Sequence, residues 1–579
     1  MIEKLLTFSD LQHFIAIKFC FFAFLIASIV VLYKKWNPFW ILFFAAGFSS
    51  CAYSIFAHGA YLPLFGLKAD EITLAAMYNT FAHAGFLKDF SYHTLPPFYP
   101  PLFFWIFAIP GKFFHWNGIQ MMKVASAVSI ALFPLLIYAV QKIYSRFTKL
   151  EESEKIPNKI SWILAPLFFY AVMDWDAIIG KPYEVISAAL CILWVLYLVQ
   201  DVFYKRLNWK RILVYGLCGG VLFMTYYLWL IFGAIAVTLL GLFVKKQDQK
   251  YFYSRLVLVG GCALLVATPY LVPLVLAYHQ FGSENWQIGF FVLQKMHVVL
   301  NFLDFTSWRG MFLLGGFMTL LVYRNNLYIR TLLCLFLTAY IWYLMGLTTL
   351  VGFRAPMQEF KGFDFFLRMI LSFAVAFGAV ELWKYVETKT TNKQWQQPVL
   401  LLGICILSMQ LLFGNFIDDP AIQSRRLENK TLRPTLLQLI GFLQKDQFQT
   451  SHPQTLSSGV TEISAFVPLN QVLYYNQFNS HPGAIFSNRK QFVDSLQYTK
   501  TPKDFYALLA HSPYGAIEQL ILFQNKGKDF YEVYLYVDDF PHGAKEQVIT
   551  FKKSLIAEPY FKKAYENYEF VIFELNKSL

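Results

Sequence analysis

The residues with the clearest capacity for chemistry lie in a polar stretch, residues 58–118, between two hydrophobic segments. It contains Asp70, Glu71 and Asp89, and a proline-rich turn, Leu95–Pro101, leads back into apolar sequence. A carboxylate can take the proton of a hydroxyl that acts as a nucleophile. Ionisable groups at the edge of membrane segments often mark functional sites. We therefore predict that this stretch is the catalytic loop of a membrane protein, with Asp70 and Asp89 as its candidate bases.

A structural interpretation competes with the catalytic one. Asp70 and Glu71 open a helix-like run that ends at Gly85, and an acidic residue at a helix N-terminus stabilises the helix whether or not it reacts. The two acids are therefore equally well explained as a cap. Glu71, together with His93 and Tyr99 beside and within the proline-rich turn, is a candidate substrate contact because of its position.

The composition is that of a membrane protein. Hydrophobic residues make up 57% of the 579 positions and charged residues only 15%, whereas soluble domains carry about 25% charged residues. Candidate spans occur at residues 12–33, 39–57, 119–142, 161–178, 183–204, 211–226, 227–244, 255–278, 310–323, 331–350, 364–385 and 397–416. Since a crossing helix needs about 20 apolar residues, we predict about 12 spans. The segment 211–244 is long for one helix and short for two.

The net charge of +13 could indicate nucleic-acid binding, but the basic residues lie in short loops, as expected for loops on the cytoplasmic side of a membrane. Nucleic acid is therefore excluded as a partner. Basic loops recur at residues 34–35, 142–159, 205–211, 245–255, 324–330 and 384–393. Placing them inside puts residues 58–118 and everything after 416 on the outer face. Residues 100–114 are then predicted to lie along the outer interface rather than to cross.

The composition changes after residue 416. Residues 417–579 are polar and contain three β-like runs, with helix-like stretches between them: Ile517–Phe523, Tyr531–Val537 and Tyr568–Leu575. A segment of this length can bury its own core. The predicted fold class is thus a polytopic α-helical membrane protein, residues 1–416, with a C-terminal α/β extracytoplasmic domain, residues 417–579.

Several predicted outer helix ends carry positive charge. A phosphate that leaves during a group transfer needs a cation beside it, from a metal ion or from lysine and arginine. The candidates are Lys123, Lys181, Arg354 and Lys361. Each also has a structural interpretation, because a lysine at a helix end can reach lipid headgroups and the others can pair with nearby acids.

Asp174 and Asp176 have the D-x-D spacing of some metal-binding sites. Such triplets are common, and the two carboxylates could instead contact a substrate or form an interfacial ion pair with Lys181. The sequence therefore leaves metal dependence open. A divalent cation is one candidate cofactor, and the absence of any cofactor is the alternative.

One segment resembles a known family. Leu87–Trp105, LKDFSYHTLPPFYPPLFFW, is similar to the D-x-x-Y-x-x-L-P-P-F-Y-P-x-x-x-F-W pattern of bacterial arabinofuranosyltransferases, which prime mycobacterial galactan or modify pilins. These enzymes belong to the C-type glycosyltransferase superfamily, whose members span the membrane many times and use polyprenyl-phosphate sugars. The middle of the chain matches in hydropathy and in the run Lys181–Glu184. The resemblance implies this architecture and this class of donor.

Other positions extend the resemblance to both ends of the chain. Asp70 matches the acid that the superfamily keeps in its first large outer loop, and Lys123 matches a lysine that opens the next span. The run Ser480–Arg489, which includes His481, is similar to an S-H-P-x-x-x-F-x-x-R run in the family's outer domain. The family often has a further acid where this chain has Thr94. That departure leaves Asp70 as the better-supported base.

The resemblance implies transfer of a pentofuranosyl unit, with D-arabinofuranose expected, from polyprenyl phosphate to a hydroxyl at the outer face of a bacterial cytoplasmic membrane. With one base and no evident nucleophile, direct displacement with inversion is the simpler mechanism. The expected partners are the lipid-linked donor, membrane lipids, and a glycan or pilin acceptor. Two alternatives stay open: another polyprenyl-phosphate-sugar transferase of the superfamily, and a lipid-linked sugar transporter or flippase, which would favour mid-membrane charges and repeated halves.

Overall fold

Helices fill the first three quarters of the chain, and strands follow. The computed structural model describes residues 7–64, 66–67, 70–147, 159–173, 175–285, 299–355, 357–363, 365–389, 401–404, 406–408, 420–447, 452–524, 526–540 and 542–578. The first helices are α1 (Phe8–Tyr33), α2 (Phe39–Ala57), α3 (Asp70–His83), α4 (Leu102–Phe113), α5 (Gly118–Phe147), α6 (Lys159–Val172), α7 (Trp175–Gly180), α8 (Pro182–Phe203), α9 (Trp209–Tyr226) and α10 (Leu228–Gly241).

The later helices alternate with the strands only near the C-terminus. They are α11 (Lys246–Val266), α12 (Thr268–Phe281), α13 (Trp308–Val322), α14 (Leu327–Phe353), α15 (Phe365–Lys389), α16 (Pro420–Glu428), α17 (Pro434–Gln447), α18 (Phe486–Leu496) and α19 (Pro502–Ala510). The strands are β1 (Gln454–Ser457), β2 (Asn470–Gln471), β3 (Gln519–Gln524), β4 (Phe530–Asp538), β5 (Ala544–Lys552), β6 (Phe561–Glu566) and β7 (Phe570–Leu575).

The helical membrane class is confirmed, but the number of spans is not. Six segments in the described ranges are long and apolar enough to cross a membrane: α1, α2, α5, α8, α14 and a segment that contains α15. α11 and α12 together would add a seventh, bent by 77° at their junction. α6, α10 and α13 have only 14 to 15 residues, fewer than a bilayer core requires. Most of the candidate span at 397–416 lies outside the described ranges.

The segment 211–244 forms two helices. α9 packs against α11 through glycines: a Cβ at Gly216 would lie 2.3 Å from the Cβ of Cys262, and one at Gly220 would lie 2.4 Å from that of Val266. Moving four residues along α9, from Gly216 to Gly220, also moves the contact four residues forward along α11. The two helices therefore run parallel and begin at the same end of the helical bundle. α10 returns the chain between them, which explains a length that suits neither one span nor two.

Residues at or beside three predicted basic loops meet at one end of the bundle. Lys205, after α8, pairs with Asp248 at the start of α11 (Nζ–Oδ1 2.8 Å). Close by, Tyr144 near the end of α5 and Arg211 at the start of α9 both bind the buried Asp201 carboxylate. The end of α5, the loop after α8 and the start of α11 therefore lie together, which is the arrangement expected if all three face the same side of the membrane.

The C-terminal part joins the opposite end. Asp10, at the start of α1, is buried and forms ion pairs with Arg426 on α16 and with Lys430. Arg426 also donates a hydrogen bond to the backbone carbonyl of Phe56, at the end of α2. The start of α1 and the end of α2 therefore lie beside the C-terminal part, across the bundle from the basic loop at 34–35.

The strands form one mixed sheet. Its order is β2-β1-β3-β4-β5, and β7 pairs with both β3 and β6. β1 is parallel to β3, whereas β4 and β7 are antiparallel to it. The three predicted β-like runs correspond to β3, β4 and β7. β5 and β6 pair on one side only and expose many side chains, so their sequences lack the apolar signal of a central strand.

The C-terminal part has a core of its own and also packs into the bundle. Val493 and Phe505 are buried against the sheet in the core that belongs to the C-terminal part alone. Phe466 and Tyr474 are buried in the larger core that the helices form. The predicted boundary at residue 416 falls in a range that the structure does not describe and stays a prediction.

Single-cysteine labelling tests the orientation. With the seven native cysteines replaced, Thr94→Cys and Lys246→Cys each place a thiol at an exposed position. We expect an impermeant maleimide applied to right-side-out vesicles to label position 94 and not position 246, because the basic loops should face the cytoplasm. Permeabilised vesicles control for reactivity at 246. Labelling of position 246 before permeabilisation would reverse the assigned orientation.

Candidate active site

Two ion pairs lie side by side at the end of the bundle that carries the C-terminal part. Asp70, the first residue of α3, pairs with Lys181 (Oδ2–Nζ 2.7 Å). Glu184, in the first turn of α8, pairs with Lys361 (Oε2–Nζ 2.6 Å). Lys181 is the N-cap of α8, one turn before Glu184, so the pairs are neighbours. We call these four residues the charged cluster.

The two pairs differ in exposure. The side chains of Asp70 and Lys181 are 45% and 35% exposed, whereas those of Glu184 and Lys361 are 0% and 9% exposed. Breaking a buried pair leaves an uncompensated charge and costs several kcal/mol, so Glu184 and Lys361 hold each other in place. An exposed ion pair contributes only about 0–1 kcal/mol to stability. Asp70 and Lys181 can therefore separate, and each can bind a ligand instead.

Both accessible groups are charged near neutral pH. Partial burial would raise the pKa of Asp70, but the Lys181 ammonium, then Lys361 and a hydrogen bond from Asn479, hold that pKa below its usual value. Burial would lower the pKa of Lys181, but Glu184 and Asp70 raise it. The site therefore offers a carboxylate as a proton acceptor and an ammonium as an anion contact.

Tyrosines line the charged cluster. The Tyr183 hydroxyl donates a hydrogen bond to Glu184 Oε1 (3.1 Å) and lies 3.3 Å from the hydroxyl of Tyr99. The Tyr226 ring faces the Lys361 ammonium, with Nζ 5.7 Å from the ring centroid. Because phenolic hydroxyls both donate and accept hydrogen bonds, the site also has neutral polar groups for a hydroxyl-rich ligand.

The segment 87–105 packs against the run 480–489. The Tyr92 hydroxyl is 2.9 Å from Ser480 Oγ, although 388 residues separate the two in sequence. The Arg489 guanidinium lies over the Tyr92 ring, 4.6 Å from its centroid. The two stretches that carry the family resemblance therefore form one interface, which fixes the proline-rich turn.

His481 is a structural contact within this interface. Its Nε2 donates to the carbonyl oxygen of Pro96 (2.9 Å), and its Nδ1 accepts from the Gly483 N–H (2.9 Å). The ring also packs against Phe98 and Tyr278. Burial lowers the pKa of His481 to about 3, so the imidazole is neutral. The sequence predicts that His481 contacts substrate. In the structure, both of its ring nitrogens form hydrogen bonds with backbone groups of the protein.

Asp89 lies in the same interface and not in the charged cluster. Its Oδ1 accepts hydrogen bonds from Ser91 N (3.0 Å), Ser91 Oγ (2.9 Å) and Tyr92 N (3.1 Å). Its buried Oδ2 has no hydrogen-bond partner among the described residues. Burial raises the pKa of Asp89 to about 6, against the lowering effect of those hydrogen bonds. Asp89 anchors the turn, and its role as a second base stays a prediction.

Glu71 and His93 have different surroundings. Glu71 follows Asp70 in the first turn of α3, and burial raises the pKa of Glu71 to about 7. The His93 ring lies 5.3 Å from that of His452, centroid to centroid. Burial, together with the neighbouring His452, lowers the pKa of His93 to about 3. Glu71 therefore adjoins the charged cluster, whereas the His93 ring contacts the C-terminal part.

Of the four predicted cations, two belong to the charged cluster and two lie elsewhere. The Lys123 ammonium donates to the backbone carbonyls of Ala60 (2.5 Å) and Tyr61 (3.1 Å). Lys123 thus ties the start of α5 to the loop after α2. Arg354, exposed at the end of α14, has a left-handed backbone conformation with φ 52°.

The predicted metal triplet cannot be placed, because Asp174 and the side chain of Asp176 lie outside the described part of the chain. Within the part that is described, no three His, Cys, Asp or Glu side chains are grouped so as to hold a metal ion.

Four residues of the site have no role predicted from the sequence: Tyr183, Glu184, Tyr226 and Asn479. An acid in the first turn of an apolar span is a signal that could have found Glu184, since such residues need a partner. Tyr183 shares the run that begins at Lys181. Tyr226 and Asn479 reach the cluster only through the fold, and their local sequences carry no corresponding signal.

Residues 15–409 match the family model described as Arabinofuranosyltransferase N terminal. Over 564 residues the chain is 22% identical to the galactan 5-O-arabinofuranosyltransferase of Mycobacterium tuberculosis. The alignment covers 86% of this chain and 78% of that protein. A 122-residue segment is 30% identical to Transmembrane 9 superfamily member 1 of Saccharomyces cerevisiae, covering 20% of this chain and only 18% of that protein.

Solved structures show partial similarity. ArnT from Cupriavidus metallidurans, bound to undecaprenyl phosphate, aligns with a TM-score of 0.46 and 13% identity, over 88% of this chain and 98% of that chain. The arabinofuranosyltransferase AftD from Mycobacteria aligns with a TM-score of 0.46 and 11% identity, over 92% of this chain and 40% of that chain.

Replacing His481 tests its structural role. His481→Asn keeps an acceptor for the Gly483 N–H but cannot titrate. Because the folded pKa of about 3 lies below the unfolded value of about 6.5, the neutral ring stabilises the fold above pH 6.5, and this stability falls by up to about 1.4 kcal/mol per pH unit below it. We expect a lower thermal midpoint for the variant at pH 7.5 and a smaller decrease between pH 7.5 and 5.

The matched control is His511→Asn, which changes an exposed histidine of the C-terminal part and should leave the midpoint and its pH dependence as in the wild type. If His481→Asn is as stable and as pH-sensitive as the wild type, the buried contact does not hold the turn.

Proposed function

The chain belongs to the arabinofuranosyltransferase family and is a glycosyltransferase, and on that premise we propose that it moves a pentofuranosyl unit from polyprenyl phosphate to an acceptor hydroxyl. The observation that carries this proposal is the accessible pair of Asp70 and Lys181, 2.7 Å apart. Such a transfer needs a base for the hydroxyl and a cation for the phosphate. D-Arabinofuranose is the expected sugar, because the mycobacterial galactan arabinofuranosyltransferase is similar over most of both chains.

Asp70 acts as the general base. It takes the proton of the acceptor hydroxyl while the hydroxyl oxygen attacks C1 of the sugar. The new O–C1 bond forms, the bond from C1 to the phosphate oxygen breaks, and polyprenyl phosphate leaves with the electron pair. Glu184, the other carboxylate of the charged cluster, is fully buried against Lys361, so a single displacement with inversion fits better than a covalent intermediate.

Lys181 stabilises the departing phosphate. An ammonium already placed where negative charge develops lowers the barrier without reorganisation. When a phosphate binds Lys181, its negative charge also weakens the hold of Lys181 on Asp70. The pKa of Asp70 then rises towards the range in which a carboxylate is an effective base. Donor binding therefore prepares the base, while Glu184 and Lys361 keep the start of α8 in place.

The reaction takes place at the outer face of the bacterial cytoplasmic membrane, the face to which the loop charges assign this end of the bundle. Glu71 and Tyr99 are proposed substrate contacts, because both adjoin Asp70 or its neighbours. The acceptor is a hydroxyl of a glycan or of a pilin. Purified protein offered both acceptors with one donor would separate these cases.

Asp70→Asn tests the base. Asn keeps the size and the helix-capping ability of Asp but cannot take a proton, so we expect transfer to fall by about 10²–10⁴-fold while folding and donor binding persist. The assay is incorporation of labelled sugar from polyprenyl-phosphoryl arabinofuranose by purified protein in nanodiscs. Asp504→Asn, which changes an exposed acid in the first turn of α19, is the matched control and should behave as the wild type, whereas Glu71→Gln should lose less activity than Asp70→Asn. Near-normal turnover of Asp70→Asn would identify the acid as a cap and move the search to Asp89→Asn.

Lys181→Gln tests the phosphate contact against Lys123→Gln. We expect the Lys181 change to raise the donor KM and lower kcat by more than about 10-fold and to leave the acceptor KM unchanged. Lys123→Gln should have the smaller effect on the donor, because its ammonium already binds two carbonyls. Loss of activity with EDTA, together with an unaffected Lys181→Gln, would instead assign the charge to a divalent cation, with Asp174 and Asp176 as candidate ligands.

A further inference from the structure

A side chain from the C-terminal part reaches the charged cluster. Asn479, at the end of a short 3₁₀ turn, donates a hydrogen bond from Nδ2 to Thr73 Oγ1 (2.9 Å). Thr73 lies three residues after Asp70 on α3, and residues three apart on a helix share a face. An amide group has a second N–H to donate. Its bond to Thr73 places the Asn479 amide one helical turn from Asp70, and the amide helps to lower the pKa of the Asp70 carboxylate. One side chain therefore acts on two positions of α3.

A buried tyrosine anchors this contact at Thr73. The Thr73 hydroxyl lies 3.2 Å from that of Tyr474. Tyr474 is fully buried, and its ring packs edge-to-face against Phe90, with centroids 5.2 Å apart. A polar network thus runs from the buried Tyr474 through Thr73 to the Asn479 amide, which influences the Asp70 carboxylate.

We propose that Asn479 is a positioning residue that orients the Asp70 carboxylate towards the acceptor hydroxyl. The inference rests on the proposed function, in which Asp70 is the base. Lys181 cannot hold Asp70 during the reaction, because it must turn to the phosphate. The neutral amide of Asn479 has no such second task, so it keeps the carboxylate in place when Lys181 leaves it.

The C-terminal part therefore supplies a residue of the active site. Asn479 lies beyond residues 15–409, the region that the family model matches. The interface between the segment 87–105 and the run 480–489 fixes the chain immediately after Asn479. That attachment sets where its amide lies.

Two substitutions of Asn479 separate positioning from packing. We expect Asn479→Ala to lower kcat by about 10-fold or more with an unchanged donor KM. Asn479→Asp keeps the size but places a like charge beside Asp70. We expect it to lower kcat further and to shift the acid limb of the kcat/KM profile to higher pH, because a neighbouring carboxylate raises the pKa of the base. Asn488→Ala, at an exposed position of α18, should behave as the wild type.

Thr73 gives a second matched pair. Thr73→Ser keeps the hydroxyl that accepts from Asn479 and should retain wild-type kcat, whereas Thr73→Val removes it at similar volume and should resemble Asn479→Ala. All variants are first compared by thermal midpoint and size-exclusion profile, so that a misfolded protein is recognised.

The outcomes distinguish this inference from the proposed function. If Asp70→Asn is active, the proposed base is wrong. If Asp70→Asn is inactive while both Asn479 variants keep the wild-type kcat and pH profile, the positioning role alone is refuted. Equal losses in Asn479→Ala and Asn479→Asp, with lowered midpoints and an unmoved acid limb, would make Asn479 a purely structural contact and also overturn the proposal.

Discussion

The buried ion pair of Glu184 and Lys361 is the constraint on which the site depends. With exposed fractions of 0% and 9%, neither charge can be left alone without a large desolvation cost. The pair therefore fixes the first turn of α8 against the turn that precedes α15. The Trp229 indole adds to this by donating to the Glu184 carbonyl (2.9 Å). Lys181 is the N-cap of the same helix. Its backbone is therefore held in place, although its ammonium is accessible.

The family class and the main elements could be predicted from sequence because their signals are local. Long apolar runs gave the helical class, and apolar alternation gave the central strands β3, β4 and β7. The number of spans could not be predicted from hydropathy windows, which do not register the break between α6 and α7 or the 77° bend between α11 and α12. A hydropathy window measures only the length of an apolar segment, whereas a membrane crossing also requires the helix axis to keep its direction.

The contacts of the site residues were less predictable, because they are tertiary. Asp70 and Lys181 are each recognisable as candidates, but nothing local pairs an acid at the start of α3 with a lysine before α8. Lys361 was predicted as a phosphate contact, with pairing to acids close in sequence as the alternative, and it pairs with the distant Glu184. Lys123 and His481 match the family pattern, yet their polar atoms bind backbone groups of this chain. A motif identifies a position, and only the fold shows what the side chain contacts there.

Charge balance explains why a cluster of two acids and two lysines suits the proposed reaction. At rest the four charges sum to zero, so the cluster is stable without a ligand. A phosphodiester donor adds one negative charge, and the leaving phosphate monoester would carry a second. Asp70 becomes neutral as it takes the acceptor proton, so the cluster gains one positive charge at the moment when the phosphate gains a negative one. The total charge at the site therefore stays constant through the transfer, which limits the electrostatic cost of the reaction at the edge of a low-dielectric membrane.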